Sequence, residues 1–317
     1  MRRHALSTAV VPRPSLYGRG FGGLGRAQPA GRSLARNSVT VGGGGGGGTV
    51  AGVFFSDFRN GTGTDASDYT DGSKWNEPGS PGGVGGLSVV NCVAEGVDFP
   101  MTNCLKVTTL EVDGGFQYIE KSGLGFPAAG ASMWVRGYFK LLQTFTTEVA
   151  TDEDNHPIQS GDTGDESWTF NTHMDSDTEW RIRFRPVFEA AHVFANAGWY
   201  SPVIAKSQSV RWELQVTRTT GVLGRFHARV YDMNNEIMFE DADFDNENAS
   251  LTLADNPEVH LAETEEGLEE NLDIIGAGST GLGGSFWFPS SPYAYQGGFA
   301  VSHADWPGAF GNIIGEN

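Results

Sequence analysis

Arg181, Arg183 and Arg185 alternate with Trp180, Ile182 and Phe184. Residues two apart share one face of a strand, so this segment carries an apolar face and a ladder of guanidinium groups. The ladder reads as a solvated or interface face. Asp241, Asp243, Asp245 and Glu247 alternate in the same way and could offer oxygens to Ca²⁺. An EF-hand loop needs Gly at its sixth position and Glu at its twelfth; Asn246 and Thr252 stand there instead, which favours a charged loop. Asp65, Asp68 and Asp71 form a comparable acidic group, and the acids of Glu148 to Asp154 lie in a polar, loop-like stretch. Cys92 and Cys104, the only cysteines, fit either a disulfide between two strands or a pair of reduced core thiols. They are too few for a zinc site or a disulfide framework. No Ser-His-Asp grouping is local, and the glycine run Gly42 to Gly48 lacks the Lys-Ser/Thr of a phosphate-binding loop. These residues therefore assign no catalytic group, cofactor or resident metal; Ca²⁺ is the one ion they bring into consideration.

The strongest pattern is one of charge. Residues 1–48 hold seven arginines, Arg2, Arg3, Arg13, Arg19, Arg26, Arg32 and Arg36, with no acidic residue, and they end in seven glycines. The chain has 21 Lys+Arg and 39 Asp+Glu, so the remaining 14 basic residues leave the body near −25 against an arm of +7. A body this acidic disfavours nonspecific contact with nucleic acid or anionic membranes, but it attracts a basic arm. The arm thus reads as a partner-binding element, with Val10, Val11, Leu16, Tyr17, Phe21 and Leu34 as small apolar islands and the glycines as a hinge. Its Arg-, Ser- and Ala-rich composition also has the look of a transit peptide, although Pro12, Pro14 and the glycines from Gly18 to Gly25 break any long amphipathic helix. No stretch approaches 18 apolar residues, so no membrane-spanning helix is expected.

Behind the candidate residues the chain is organised as many short strands. Strand signals fall at Val50 to Phe58, Leu87 to Val93, Cys104 to Leu110, Gly115 to Lys121 and Met133 to Leu142. Within the last of these, Trp134, Arg136, Tyr138 and Lys140 share a face. Asn60 to Gly86 reads as a long loop region and Thr146 to Asp165 as an acidic polar insert. Ser167 to His173 and Glu179 to Pro186 resume the pattern. Ser209 to Arg218 and Arg225 to Asp232 flank a glycine-containing hairpin loop, and Ile237 to Glu240 extends that unit. Glu263 to Asn271 fits a short helix, while Ser285 to Phe288 and Gly297 to Ser302 close the domain. Near absence of helical periodicity with closely spaced strands implies an all-β antiparallel sandwich or barrel at residues 49–317.

Three segments carry a family resemblance. Met133-Trp-Val-Arg-Gly-Tyr-Phe-Lys140 resembles an early central strand of concanavalin A-like, laminin G-like jelly rolls. Arg211-Trp-Glu-Leu-Gln-Val-Thr-Arg218, with Arg225-Phe-His-Ala-Arg-Val-Tyr231 after the turn, is similar to their adjacent long strands. Gly298-Phe-Ala-Val-Ser-His303, followed by Trp306 to Gly311, resembles the terminal strand and its tail. The resemblance covers roughly residues 50–312 and implies a jelly-roll β-sandwich. Such folds host lectins, glucanases, polysaccharide lyases and structural modules, so fold does not decide function. Glucanases of the family pair carboxylates on one strand as Glu-x-Asp-x-(x)-Glu, a motif this chain lacks. Alginate-lyase-like members use Arg-rich, Gln-x-His and Tyr-x-Lys strands, in which Arg neutralises a uronate carboxylate and Tyr or His moves the proton. Arg181, Arg183, Arg185, Tyr138, Lys140 and His173 resemble fragments of that set, without a Gln-x-His and with Tyr-x-Lys early in the chain.

Missing catalytic motifs move the expectation to the arm. The layout implies a noncatalytic virion structural protein of a tailed bacteriophage, a capsid decoration protein or a tail or fibre component on the particle surface. Its partners would be other virion proteins and copies of itself. The alternatives are a polysaccharide lyase or hydrolase, and a glycan-binding module for host adhesion in which Trp75, Trp199 or Trp287 stacks on sugar rings.

Overall fold

A computed structural model describes residues 52–59, 75, 77–78, 87–108, 117–142, 155–161, 167–174, 179–186, 199–241, 258–282, 292–314 and 316. All belong to the second of two compact units, Gly46–Asn317. The seven arm arginines, Arg2 through Arg36, lie outside the described residues, as do Asp65, Asp68, Asp71, Glu148 to Asp154 and Trp287. The Ca²⁺ candidates Asp243, Asp245 and Glu247 lie outside as well, and of Asp241 only the backbone is described.

The early strands are β1 (Gly52–Ser56), β2 (Glu77–Pro78), β3 (Leu87–Asn91), β4 (Asn103–Thr108), β5 (Gln117–Lys121) and β6 (Ser132–Leu141). The middle of the chain forms β7 (Asn155–Ser160), β8 (Trp168–Met174), β9 (Glu179–Pro186), β10 (Trp199–Tyr200), β11 (Ile204–Ala205) and β12 (Ser209–Arg218). After these come β13 (Leu223–Tyr231), β14 (Ile237–Asp241), β15 (Val259–His260), helix α1 (Glu265–Leu272), β16 (Ile275–Leu282) and β17 (Pro292–Ser302). Strand β9 has the expected bounds, and the 209–231 hairpin and short helix also stand where the sequence places them. Thr264 caps the helix, its hydroxyl accepting from the Gly267 N–H at 3.0 Å. The acidic insert differs from expectation, because β7 lies inside it. Pro157 and dense flanking acids mask that strand in the sequence, yet Ile158 is fully buried in the core.

Every pairing among the described residues is antiparallel. One nine-stranded sheet runs β14-β13-β12-β6-β17-β4-β3, with β1 beside β17 and β15 beside β13. The other, eight-stranded, runs β10-β9-β8-β7-β16-β5-β2, with β11 beside β9. Each sheet turns one face inward, giving the antiparallel jelly-roll β-sandwich that the resemblance implied. Aromatic rings join the two: Phe139 of β6 lies 5.2 Å from Phe170 of β8 and 5.4 Å from Trp180 of β9. Trp212 of β12 lies 5.2 Å from Phe170 and 5.9 Å from Phe184. Trp75 belongs to this interior and is not a sugar platform. It is 2% exposed, packs on Phe54, Phe58 and Phe299, and donates its indole N–H to Ser56 Oγ at 3.0 Å.

A smaller apolar cluster sits beside the main core and holds Cys92, Cys104, Val97, Phe99, Met101, Tyr138 and Tyr295. Both cysteines are free and buried. The Cys104 thiol is pushed up by its hydrogen bond to Cys92 and by burial, which makes it an inert packing group.

The Trp212 indole lies directly over Gly137, where an added Cβ would come within 2.6 Å of the ring. Gly137→Ala is therefore expected to destabilise the fold by about 1–3 kcal/mol through overpacking, and Trp212→Ala by about 3–5 kcal/mol through the cavity it leaves. Urea denaturation of the two variants measures both losses.

Candidate functional site

The arginine ladder lies on the eight-stranded sheet. Pairing aligns Ile119, Ala277, Ile158, Phe170 and Phe184 in one inward row across β5, β16, β7, β8 and β9. Alternation turns the neighbouring residues outward. There Gln159 of β7 faces Thr169 of β8, and Asn171 of β8 faces Arg183 of β9, itself paired with Tyr200 of β10. Arg181 stands opposite His173 in the backbone register. The side chains of His173, Arg185 and Trp199 lie outside the described residues.

Where the sequence suggests a solvated or interface face, Arg183 is enclosed and Arg181 is partly exposed. Gln159, Thr169 and Asn171 are fully buried, and Arg183 is 6% exposed with its guanidinium 5.2 Å from the Tyr200 ring centre. Short strands β10 and β11 extend the sheet beyond β9, and β10 sets Tyr200 opposite Arg183, which no local pattern announces. The amide of Gln159 donates to the Gly161 carbonyl at 3.3 Å, while its Oε1 and the Thr169 hydroxyl have no hydrogen-bond partner among the described residues. Buried polar atoms rarely stand so. Arg181 and Tyr200 are partly exposed and mark the open end of the row.

The remaining lyase-like fragment is elsewhere. Tyr138 and Lys140 lie on β6, in the nine-stranded sheet, and face away from the core. The Tyr138 hydroxyl accepts from the Phe310 N–H at 2.9 Å, and Lys140 donates to the Gly96 carbonyl at 3.0 Å. Opposite sheets thus carry the two fragments, and they cannot converge on one substrate atom. A proton-moving role for Tyr138 beside Arg183 is excluded by this separation.

Beside Tyr138, on the same face, runs a polar lattice that the sequence does not announce. In register across β6, β12, β13 and β14 stand Arg136, Glu213, Arg229 and Glu240, alternating in charge. The C-terminal segment adds Glu316, which pairs with fully buried Arg136 and also accepts from the Gly311 N–H at 2.9 Å. Arg136 further donates to the carbonyls of Gly298, Gly308 and Ala309. Glu240 accepts from Arg229 at 2.8 Å and lies 3.0 Å from His227. Trp306 covers Arg229, whose guanidinium carbon is 4.0 Å from the ring centre. Glu213 is 1% exposed, and its nearest cation is Arg211 Nε at 3.7 Å. Burial raises its carboxyl above the usual range despite the opposing charges of Arg211 and Arg136. For Glu240 burial also pushes upward, but the hydrogen bonds and charge of Arg229 and His227 outweigh it and hold the carboxyl low.

No protein-family model matches the chain, and no curated protein matches it in sequence. Solved structures similar to it include an endo-β-1,4-glucuronan lyase from the fungus Trichoderma reesei, with 12% identity and a TM-score of 0.44 over 80% of this chain and 96% of that one. A mutant of alginate lyase Aly36B, bound to an alginate trisaccharide, shares 11% identity with a TM-score of 0.44, over 81% and 99%. An endo-1,3-β-glucanase from Streptomyces sioyaensis shares 10% identity with a TM-score of 0.43, over 82% and 98%. No residue role is carried over from them. No helix among the described residues is long and apolar enough to cross a membrane.

The buried carboxyl gives a pH test. With a folded value above that of the unfolded chain, about 4.3, Glu213 binds its proton more tightly in the native state. Its contribution to stability is present at low pH and is lost as pH rises through the raised value. Glu213→Gln removes this slope, so the variant should gain stability relative to the wild type between about pH 4 and pH 7. Urea midpoints measured across that range check it; parallel curves would refute it.

Proposed function

We propose that the sandwich recognises an acidic polysaccharide on the outer face of its eight-stranded sheet. The observation that carries this is the outward patch of two adjacent rows, Gln159–Thr169 and Asn171–Arg183–Tyr200, across β7, β8, β9 and β10. A guanidinium pairs with a carboxylate through two parallel hydrogen bonds. The buried amide and hydroxyl groups of Gln159, Thr169 and Asn171 form the floor behind Arg183, and the partly exposed Tyr200 ring matches the apolar face of a pyranose. The ligand enters at Arg181 and Tyr200, where the row opens. Overall negative charge does not forbid this, since beyond about 8 Å the body's field is screened at physiological ionic strength, while the arginines act at contact.

Isothermal titration of the full chain with polyglucuronate and alginate oligosaccharides tests the proposal. Binding is expected, and Arg183→Gln should weaken it by about tenfold or more. The absence of binding to either polymer would refute it. Appearance of an unsaturated uronate product would extend recognition to β-elimination, the lyase alternative; turnover without Arg183 would remove that residue from the role.

A second reading rests on the charge asymmetry. An arm of +7 beside a body of −25 supports attachment of the sandwich to an assembly, through Arg2, Arg3, Arg13, Arg19, Arg26, Arg32 and Arg36. A phage virion surface, with neighbouring virion proteins and further copies of the chain as partners, is the assembly that fits displayed glycan recognition. Deletion of residues 1–48 should leave a folded, soluble body that no longer joins its assembly, as sedimentation of particles with tagged protein would show. Normal incorporation of the truncated chain would overturn it.

A further inference from the structure

Pro157 interrupts β7 where the sheet would otherwise be continuous. Proline has no backbone N–H and removes one ladder hydrogen bond, so strands tolerate it only at an edge or a bulge. Here β7 is internal, between β8 and β16. Both of its pairings slip at this point: the register shifts between Asn155 and Ile158 against β8, and between Ala277 and Gly281 against β16. The extra residues of β16 begin at Gly278, whose φ of 132° is a conformation that favours glycine. Such a break leaves buried carbonyls without strand partners, at a cost of about 1–3 kcal/mol each.

Gln296 meets them from the other sheet. It sits on β17 between Leu105 of β4 and Phe139 of β6, is fully buried, and points through the apolar core. Its Nε2 donates to the Gly278 carbonyl at 2.8 Å and to the Pro157 carbonyl at 3.4 Å. Two facing carbonyls fix the amide orientation, because only the nitrogen can donate. One side chain thus joins two broken strands of one sheet to a strand of the other. The strand residues beside this bolt belong to the glycan row: Gln159 lies two positions from Pro157, and Asn171 lies between Phe170 and Thr172, the β8 residues paired on either side of the slip.

We infer that Gln296 is a positioning residue for the outer face of the eight-stranded sheet. It holds the paired irregularity of β7 and β16 in one arrangement and thereby sets where Gln159, Asn171 and Arg183 stand. The inference rests on the reading of that face as the glycan site. It assigns Gln296 no contact with ligand, which lies on the far side of the sheet.

Gln296→Leu keeps much of the volume and removes both donors. Leu105→Ala, beside it on β4, costs core packing but leaves both carbonyls bonded. Affinity for polyglucuronate and alginate oligosaccharides is compared at a temperature where circular dichroism shows both variants folded. Gln296→Leu should bind about tenfold more weakly than the wild type, and Leu105→Ala should bind as the wild type does. Gln296→Glu donates only when protonated, so its affinity should recover as pH is lowered, beyond any pH effect seen in the wild type. Equal affinities for Gln296→Leu and the wild type, or equal losses in Gln296→Leu and Leu105→Ala, would overturn the positioning role. Amide hydrogen exchange separates failure of the glycan reading from failure of this one. Even if the wild type binds neither polymer, exchange in β7, β8 and β16 should quicken in Gln296→Leu and not in Leu105→Ala, and unchanged exchange there would overturn the inference.

Discussion

Trp212 stands where the two sheets meet, with Gly137 under its ring and Phe170, Phe184 and Trp168 around it. The constraint it embodies governs the rest: two sheets share one interior, and what fills it is almost entirely apolar, because a polar group there loses its contact with water. Gly137 has no side chain because the indole occupies that volume. The inward rows of both sheets are hydrocarbon and aromatic for the same reason. Gln296 is the notable polar entrant from β17, and it enters only where a proline has left carbonyls to be met.

With the interior spent on packing, polar chemistry is forced onto the two outer faces, and these differ in kind. On the nine-stranded sheet the charges close upon one another. Arg136, Glu213, Arg229 and Glu240 alternate across four strands, and Glu316 and Trp306 of the last segment seal them. Closed by the Arg136–Glu316 and Arg229–Glu240 pairs, this lattice holds the C-terminal segment to the sheet. It resembles a buried ion-pair network, whose worth lies in fixing an arrangement more than in net stabilisation. On the eight-stranded sheet the patch is amide, hydroxyl, guanidinium and aromatic ring. That contrast, not the presence of arginine alone, directs the functional proposal to the second face.

Much of the fold was legible from residue order. Alternation at Glu179 to Pro186 marked β9, and the apolar positions of 209–231 marked both strands of the central hairpin. These segments are long, and one face of each is buried, so periodicity and structure coincide. Strand β7 is hidden in the sequence, because Pro157 and a dense run of acids outweigh one buried isoleucine. Trp75 stays open between the two in sequence, because an aromatic inside a Gly/Asp/Ser loop looks the same whether it faces sugar or core. Its contacts with Phe54, Phe58 and Phe299 join positions far apart in the chain.

Sequence alone determined the strand-rich character, the alternation that sorts inward from outward residues, and the opposition of a basic arm to an acidic body. Each depends on neighbouring residues or on simple sums of charge. Tertiary structure decided which outward residues belong together. Tyr138 and Arg183 have similar strand settings and would suit one active site, yet β6 and β9 lie in different sheets and present them to opposite sides. Strand order is set by pairing between distant segments, and local periodicity carries no record of it. The same holds for Gln296, Pro157 and Gly278: each is unremarkable in its own stretch, and only the closing of one sheet upon the other brings the amide to the carbonyls it must bind.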